Sequence, residues 1–278
     1  MYRALSMGAL GHRVSFEEEV RLAAEYGFEG VAVSMAPVEA LGLDGVRRLL
    51  EENSVRAAYS GMPVNYREDD ATFEAGLAEL PAFAETMSAL GCTRVITWIT
   101  PWHPTLPYQQ RFAQLRERTA RICEVLAPYG IRYGLEFIGP ATSRRDKPNP
   151  FIYNTAGMLE LIAAVGASNL GILLDAWHWY TAGDTTEDLA RLSDDLVVLV
   201  HVNDAPAGVP VEEQIDNVRC MPGETGVIDI ETFMGALAKM GYGGPVMVEP
   251  FSQRIRDMSP REALQETVRS LDKIWPQS

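Results

Sequence analysis

The amino-acid sequence predicts an α/β protein, a single (β/α)8 TIM barrel spanning residues 1–278. Three observations carry that expectation. Short β-rich runs alternate with amphipathic helical stretches from one end of the chain to the other, and no low-complexity linker marks a boundary. Counting the opening segment there are eight such runs, each apolar on both faces, as a parallel strand covered by helices must be. Four consecutive runs end in an acid or an imidazole, at the rim where a barrel of this kind collects its reactive side chains.

The first run is YRALSM, residues 2–7. A helix begins at Ser15, where SFEE sets Glu18 three residues beyond a capping hydroxyl, and Gly27 offers a stop. GVAVSM, residues 30–35, is the second strand. The helix LDGVRRLLEENS leads to VRAAYSGMPV, residues 55–64. The stretch ATFEAGLAELPAFAETMSALG, which Pro81 is expected to kink or divide, leads to TRVITWIT, residues 93–100. QQRFAQLRERTARICEVLAPYG leads to IRYGLEF, residues 131–137. After a loop containing SRRDKPNP, NTAGMLELIAAVG leads to LGILLDA and TEDLARLSDD to LVVLVHVND. IETFMGALAKMGYG leads to PVMVEPF, and the helix SPREALQETVRSLDKIW closes the chain.

Composition narrows the function. A formal net charge of −14 repels a polyanion over the whole surface and no basic stripe overrides it, so nucleic acid is not expected as a partner. No apolar run approaches the ~20 residues that cross a bilayer. The first residues lack the apolar core of a signal peptide, so a cytoplasmic protein without a membrane partner is expected. Cys92, Cys123 and Cys220 are an odd number at wide spacings without a CxxC pair, which predicts reduced thiols. Lysine occurs only at Lys147, Lys239 and Lys273, one in a polar loop and two in helical stretches, which removes a Schiff-base aldolase.

The fifth strand ends in Glu136, the sixth in Asp175 with His178 three positions on, the seventh in His201 and Asp204, and the eighth in Glu249. Burying a lone carboxylate costs several kcal/mol, so Glu136, Asp175 and Glu249 at one rim would repel one another unless a cation lay between them. Three carboxylates and one imidazole make a mostly oxygen donor set. Such a set suits manganese, magnesium or cobalt better than a structural zinc.

The order Glu, Asp-x-x-His, His, Arg followed by PGETGVID, and Glu, on strands five to eight, resembles the sugar phosphate isomerase/epimerase superfamily with the xylose-isomerase-like barrel. That superfamily includes ketose 3-epimerases, hydroxypyruvate isomerase, inosose dehydratase and endonuclease IV. The resemblance spans nearly the whole chain and is most specific from Leu135 to Phe251. It implies that Glu136, Asp175, His201 and Glu249 bind one divalent ion, commonly manganese (Mn2+, with Mg2+ or Co2+ as alternatives). It also implies that His178 and Arg219 contact substrate oxygens, and that the protein is a homo-oligomer, a dimer or tetramer. One departure stands out: Thr142 occupies the position where the 3-epimerases carry a further substrate-binding glutamate. The loop with Arg144, Arg145, Asp146 and Lys147 either sets a different specificity or is a solvated charge cluster. Relatives of endonuclease IV hold three zinc ions and need more imidazoles than the four histidines of this chain, so DNA repair is not expected.

The chemistry expected is proton abstraction next to the carbonyl of a sugar, through an enediolate, with Glu136 and Glu249 exchanging the proton as base and acid. Return of the proton to the opposite face gives an epimer, and return to the adjacent carbon an isomer. Loss of a leaving group would instead make the protein a dehydratase or lyase of a 3-oxo sugar or inosose. Trp98, Trp102 and His103 close the fourth strand and Trp177 and Trp179 flank the sixth; they either face a sugar or pack the rim. Trp102 and His103 are the expected contacts from this set. No Gly-rich phosphate cradle follows strands seven and eight, which favours an unphosphorylated sugar or an oxidised derivative as the small-molecule substrate. A metal-bearing subunit of a hetero-oligomeric sugar-processing enzyme is the alternative to an autonomous enzyme.

Overall fold

Eight parallel strands close on themselves in the computed structural model, which describes residues 1–276. The span expected from the sequence, 1–278, reaches residues 277 and 278, which lie outside the described residues. The strands are β1 (Tyr2–Leu5), β2 (Gly30–Ala32), β3 (Arg56–Gly61), β4 (Arg94–Ile99), β5 (Arg132–Phe137), β6 (Leu170–Asp175), β7 (Val197–Val202) and β8 (Pro245–Val248). They follow one another around the barrel in chain order, and β8 closes onto β1 with Tyr2 opposite Pro245 and Arg3 opposite Val246. This is the (β/α)8 barrel that the alternation of apolar runs predicts.

Register decides what meets at the rim. Trp98 of β4 lies opposite Glu136 of β5, and Asp175 of β6 lies opposite His201 of β7. Val202 pairs with Val248, so Glu249 emerges one residue beyond, at the same level. Below them the barrel interior is filled by Ala4, Ala58, Tyr59, Leu173, Leu199 and Met247, with the Tyr59 hydroxyl donating to Met247 Sδ at 2.9 Å. A larger cluster joins helix residues such as Leu22, Phe73, Leu115 and Leu161 to strand residues Val95, Leu135 and Ile172. A solid interior of this kind leaves the rim as the place for chemistry.

Local structure decides between the alternatives at Pro81 and departs from the sequence expectation at two other points. Pro81 does not divide its helix: Asp70–Ala89 is one helix with Pro81 inside it. Proline forfeits one backbone bond there, but Phe73 on one side and Phe83, Ala84 and Met87 on the other are buried, so both halves are held by the core. GVAVSM is strand only to Ala32, and Met35–Leu41 is a helix starting after Ser34. TEDLARLSDD is helical only over Thr186–Leu189; the next bonds, Arg191 N to Asp188 O and Leu192 N to Leu189 O, are turns that bring Leu192 into the core.

The segment after the sixth strand matters for function. Ala176–Ala182 is a helix, capped by Asp175, whose Oδ1 accepts from Trp177 N at 2.7 Å. Asp175 and His178 are thereby separated by about one helical turn and lie on one face. Cys92, Cys123 and Cys220 are free. Among the described residues no helix is long and apolar enough to cross a membrane.

Candidate active site

The His201 ring occupies the middle of the acidic cluster. Its Nδ1 is 3.7 Å from Glu136 Oε1, 3.7 Å from Asp175 Oδ2 and 3.5 Å from Glu249 Oε2. His178 approaches from the following helix, with Nε2 3.9 Å from Glu136 Oε1. Among the described residues, Glu136 Oε1 and both ring nitrogens of His201 are buried without a hydrogen-bond partner. Buried polar atoms are ordinarily bonded, so several donors that converge without bonding one another mark a place for something else. Ligand atoms of Glu136, Asp175 and His178, and again of Asp175, His201 and Glu249, lie within 4.8 Å of one another. The mixed oxygen and imidazole set fits a divalent cation.

Asp175 is the most tightly held member. Besides the Trp177 amide, its Oδ1 accepts from Asn203 Nδ2 at 2.9 Å, while Oδ2 accepts from Arg219 Nη1 at 2.8 Å. The same Nη1 donates to Glu249 Oε2 at 3.0 Å. Arg219 Nη2 donates to Asp216 Oδ1 at 2.9 Å and lies 3.3 Å from His178 Nε2. The guanidinium sits 4.7 Å from the ring centre of Phe251, a residue held at φ 35° in the left-handed region that bulky side chains rarely adopt.

These contacts set the charges. Burial drives the Glu136 carboxyl well above its ordinary range; His201 opposes the rise, and Asp175 and Glu249 reinforce it. Burial would raise Asp175 as well, yet Arg219 and His201 beside it hold it below its ordinary value. Glu249 is likewise buried and likewise held low, by His201 and Arg219. Burial disfavours the charged form of His201, but Glu249, Asp175 and Glu136 around it push its pKa up to about 10. His178 is different: burial holds it down to about 4, so it is neutral. Its Nδ1 accepts from the Gly139 amide at 3.1 Å, which fixes the orientation of the ring.

A cavity of about 410 Å³ opens above the cluster. Glu136, His178, Arg219 and Glu249 are among its lining, Trp98, Trp102, Ile138 and Phe251 supply apolar wall, and Ser143, Asp216 and Asn217 add polar groups. Of the residues singled out from sequence, the structure therefore brings together Glu136, Asp175, His178, His201, Arg219, Glu249 and Trp102. It does not bring His103 to the cavity lining. The His103 Nδ1 accepts from the Thr105 and Leu106 amides at 3.2 and 2.9 Å, so the ring caps its own loop. Trp177 and Trp179 are buried packing.

Asp204 has a structural task. Its Oδ1 accepts from the Ala205 and Ile228 amides at 2.8 and 2.9 Å, and its Oδ2 from those of Thr225 and Gly226 at 2.9 and 2.7 Å. The segment PGETGVID is thus wrapped around one carboxylate, which anchors the chain next to Arg219. Thr142 Oγ1 donates to Gln214 O at 2.7 Å and ties the loop after β5 to the loop after β7. Sequence reasoning missed Asn203, Asp216, Asn217, Ser143, Phe251 and the Gly139 amide. Only Asp216 carried a signal, its place three residues before Arg219.

Residues 20–274 match the xylose isomerase-like TIM barrel family. An inosose isomerase of Halalkalibacterium halodurans is 26% identical over 231 residues, spanning 80% of this chain and 76% of that protein. Among solved structures, a xylose isomerase domain protein from Alicyclobacillus acidocaldarius is similar at a TM-score of 0.90 and 30% identity, covering 99% of this chain and 98% of its own. An IOLI protein with a bound zinc atom is similar in fold at a TM-score of 0.84 and 18% identity, over 100% of both chains.

Proposed function

Since the chain belongs to the xylose isomerase-like TIM barrel family, we propose that it is a divalent-metal-dependent isomerase or epimerase of a sugar or keto-sugar derivative. The reaction would proceed by proton abstraction next to the carbonyl. One observation carries this reading: Glu136 and Glu249 flank His201, whose Nδ1 is 3.7 Å from the one and 3.5 Å from the other, in one cavity. Burial raises Glu136 above its ordinary range, whereas His201 and Arg219 hold Glu249 below its own. Two carboxyl groups whose environments push them apart in this way are suited to act as acid and base on one substrate. Both line the same cavity, so a proton taken by one can be replaced by the other on a neighbouring carbon or on the opposite face.

Glu136, Asp175, His201 and Glu249 would hold the ion, and the oxygen-rich donor set favours Mn2+, with Mg2+ or Co2+ as alternatives. When bound, the ion would supply a Lewis acid for the carbonyl oxygen and the adjacent hydroxyl. His178, oriented by the Gly139 amide, presents its Nε2 edge to the cavity, where it can contact a substrate oxygen. Arg219 keeps Asp175 and Glu249 ionised and in position. Trp98, Trp102 and Phe251 offer flat faces to the C–H surfaces of a ring, and the inosose isomerase relative supports a polyhydroxylated ketone as the substrate.

The test is to incubate Mn2+-loaded protein with ketoses and 3-oxo sugars in deuterated water. Deuterium is expected at a carbon next to the carbonyl, and Glu249→Gln should slow its entry by about 10²–10⁴-fold. Loss of water from the substrate in place of exchange would assign the protein as a lyase. No exchange with any of these compounds, or no stoichiometric metal by elemental analysis, would refute the proposal.

A further inference from the structure

We infer that the substrate of this site is uncharged and that Asp216 is the residue that turns anionic analogues away; the inference rests on the cavity being the sugar site. The lining carries three carboxylates, Glu136, Glu249 and Asp216, and a single charged cation, Arg219. That guanidinium is already engaged: Nη1 donates to Asp175 and Glu249, and Nη2 to Asp216. With a divalent ion in place, the four carboxylates in and beneath the floor still exceed the ion and Arg219 by one charge. A phosphate or carboxylate on the substrate would add to that excess at short range, in a partly desolvated space.

The nearby groups that could accept an anion are either bonded elsewhere or outside the lining. The Thr225, Gly226 and Ile228 amides of the PGETGVID segment could cradle a phosphate, but all three donate to Asp204. Arg67 lies 4.1 Å from the ring centre of Trp98 with Nη1 donating to Trp98 O, and Lys147 Nζ lies 5.2 Å from the ring centre of Trp102. Both cations pack on cavity tryptophans and neither is part of the lining. Asp216, by contrast, faces the cavity with Oδ1 on Arg219, while its Oδ2 accepts no hydrogen bond among the described residues. A free carboxylate oxygen accepts from a hydroxyl and repels an anion. Ser143 and Asn217 beside it add polar groups without a positive charge.

Sorbitol and gluconate share a six-carbon polyol chain and differ at one end in charge; neither has a ketone or aldehyde group, so neither turns over. Their binding to Mn2+-saturated protein would be measured by calorimetry at pH 7, with bound manganese assayed afterwards. Sorbitol is expected to bind at least about tenfold more tightly than gluconate, and Asp216→Asn, which keeps an oxygen for Arg219, should shrink that ratio by about tenfold or more. Gluconate binding the wild type as tightly as sorbitol would overturn the inference while leaving the cavity a sugar site. An unchanged ratio in a folded Asp216→Asn protein would overturn the role of Asp216. If neither compound binds, with or without manganese, the proposed function falls together with the inference.

Discussion

Loading the site with a divalent ion should release protons, and the number follows from the charges already present. In the metal-free protein Glu249, Asp175 and Glu136 push His201 up to about 10, so at neutral pH the ring is protonated on both nitrogens. An imidazole that becomes a ligand must give one of those protons up. Burial favours the protonated form of Glu136, so its carboxyl adds to that release when it becomes a ligand. Between one and two protons should therefore leave per ion at pH 7, and affinity should rise by about tenfold to a hundredfold for each pH unit between pH 6 and 9. Titrating Mn2+ into metal-free protein in two buffers of different ionisation enthalpy gives the proton count directly. Glu136→Gln should lower it toward one. Affinity that stays flat from pH 6 to 9, with no proton released, would refute both the ligand set and the charge assignment of His201.

The same ring ties metal-free stability to pH. A pKa raised on folding stabilises fully below the unfolded value of about 6.5 and is lost as pH rises through about 10, at up to roughly 1.4 kcal/mol per pH unit; urea midpoints in chelator that do not fall over this window would contradict it. Asp204→Ala would leave the Thr225, Gly226 and Ile228 amides without their acceptor, destabilising by about 3 kcal/mol or more in urea unfolding; a change under about 1 kcal/mol would show that the loop does not depend on this carboxylate. At Gly139 an added Cβ would collide with the His178 carbonyl oxygen and come within 2.7 Å of Thr181 Oγ1. Gly139→Ala should thus cost about 1–3 kcal/mol and depress isotope exchange, whereas wild-type behaviour in both would remove Gly139 as the group that orients His178.

The barrel and its acidic cluster are legible in the sequence for one physical reason. A parallel strand buried on both faces is apolar throughout, so Glu136, Asp175, His201 and Glu249 stand out as interruptions at equivalent strand ends. Loops have no such background. Asp204 and Asp216 belong to one irregular segment after β7, yet one collects four backbone amides and the other faces the cavity with Arg219. His103 shows the same dependence on loop context: it follows a strand beside Trp102, yet its Nδ1 accepts from the Thr105 and Leu106 amides. AWHWY, just past the sixth strand, forms a helix whose N-cap is Asp175. The residues expected to bind the ion and move the proton therefore sit on strands or one residue beyond them, and those expected to choose the substrate, Ser143, Asp216 and Asn217, sit in the connections after β5 and β7. Substitutions in those loops can change what enters the cavity without moving the donor set, because register between strands, and not loop conformation, fixes the cluster.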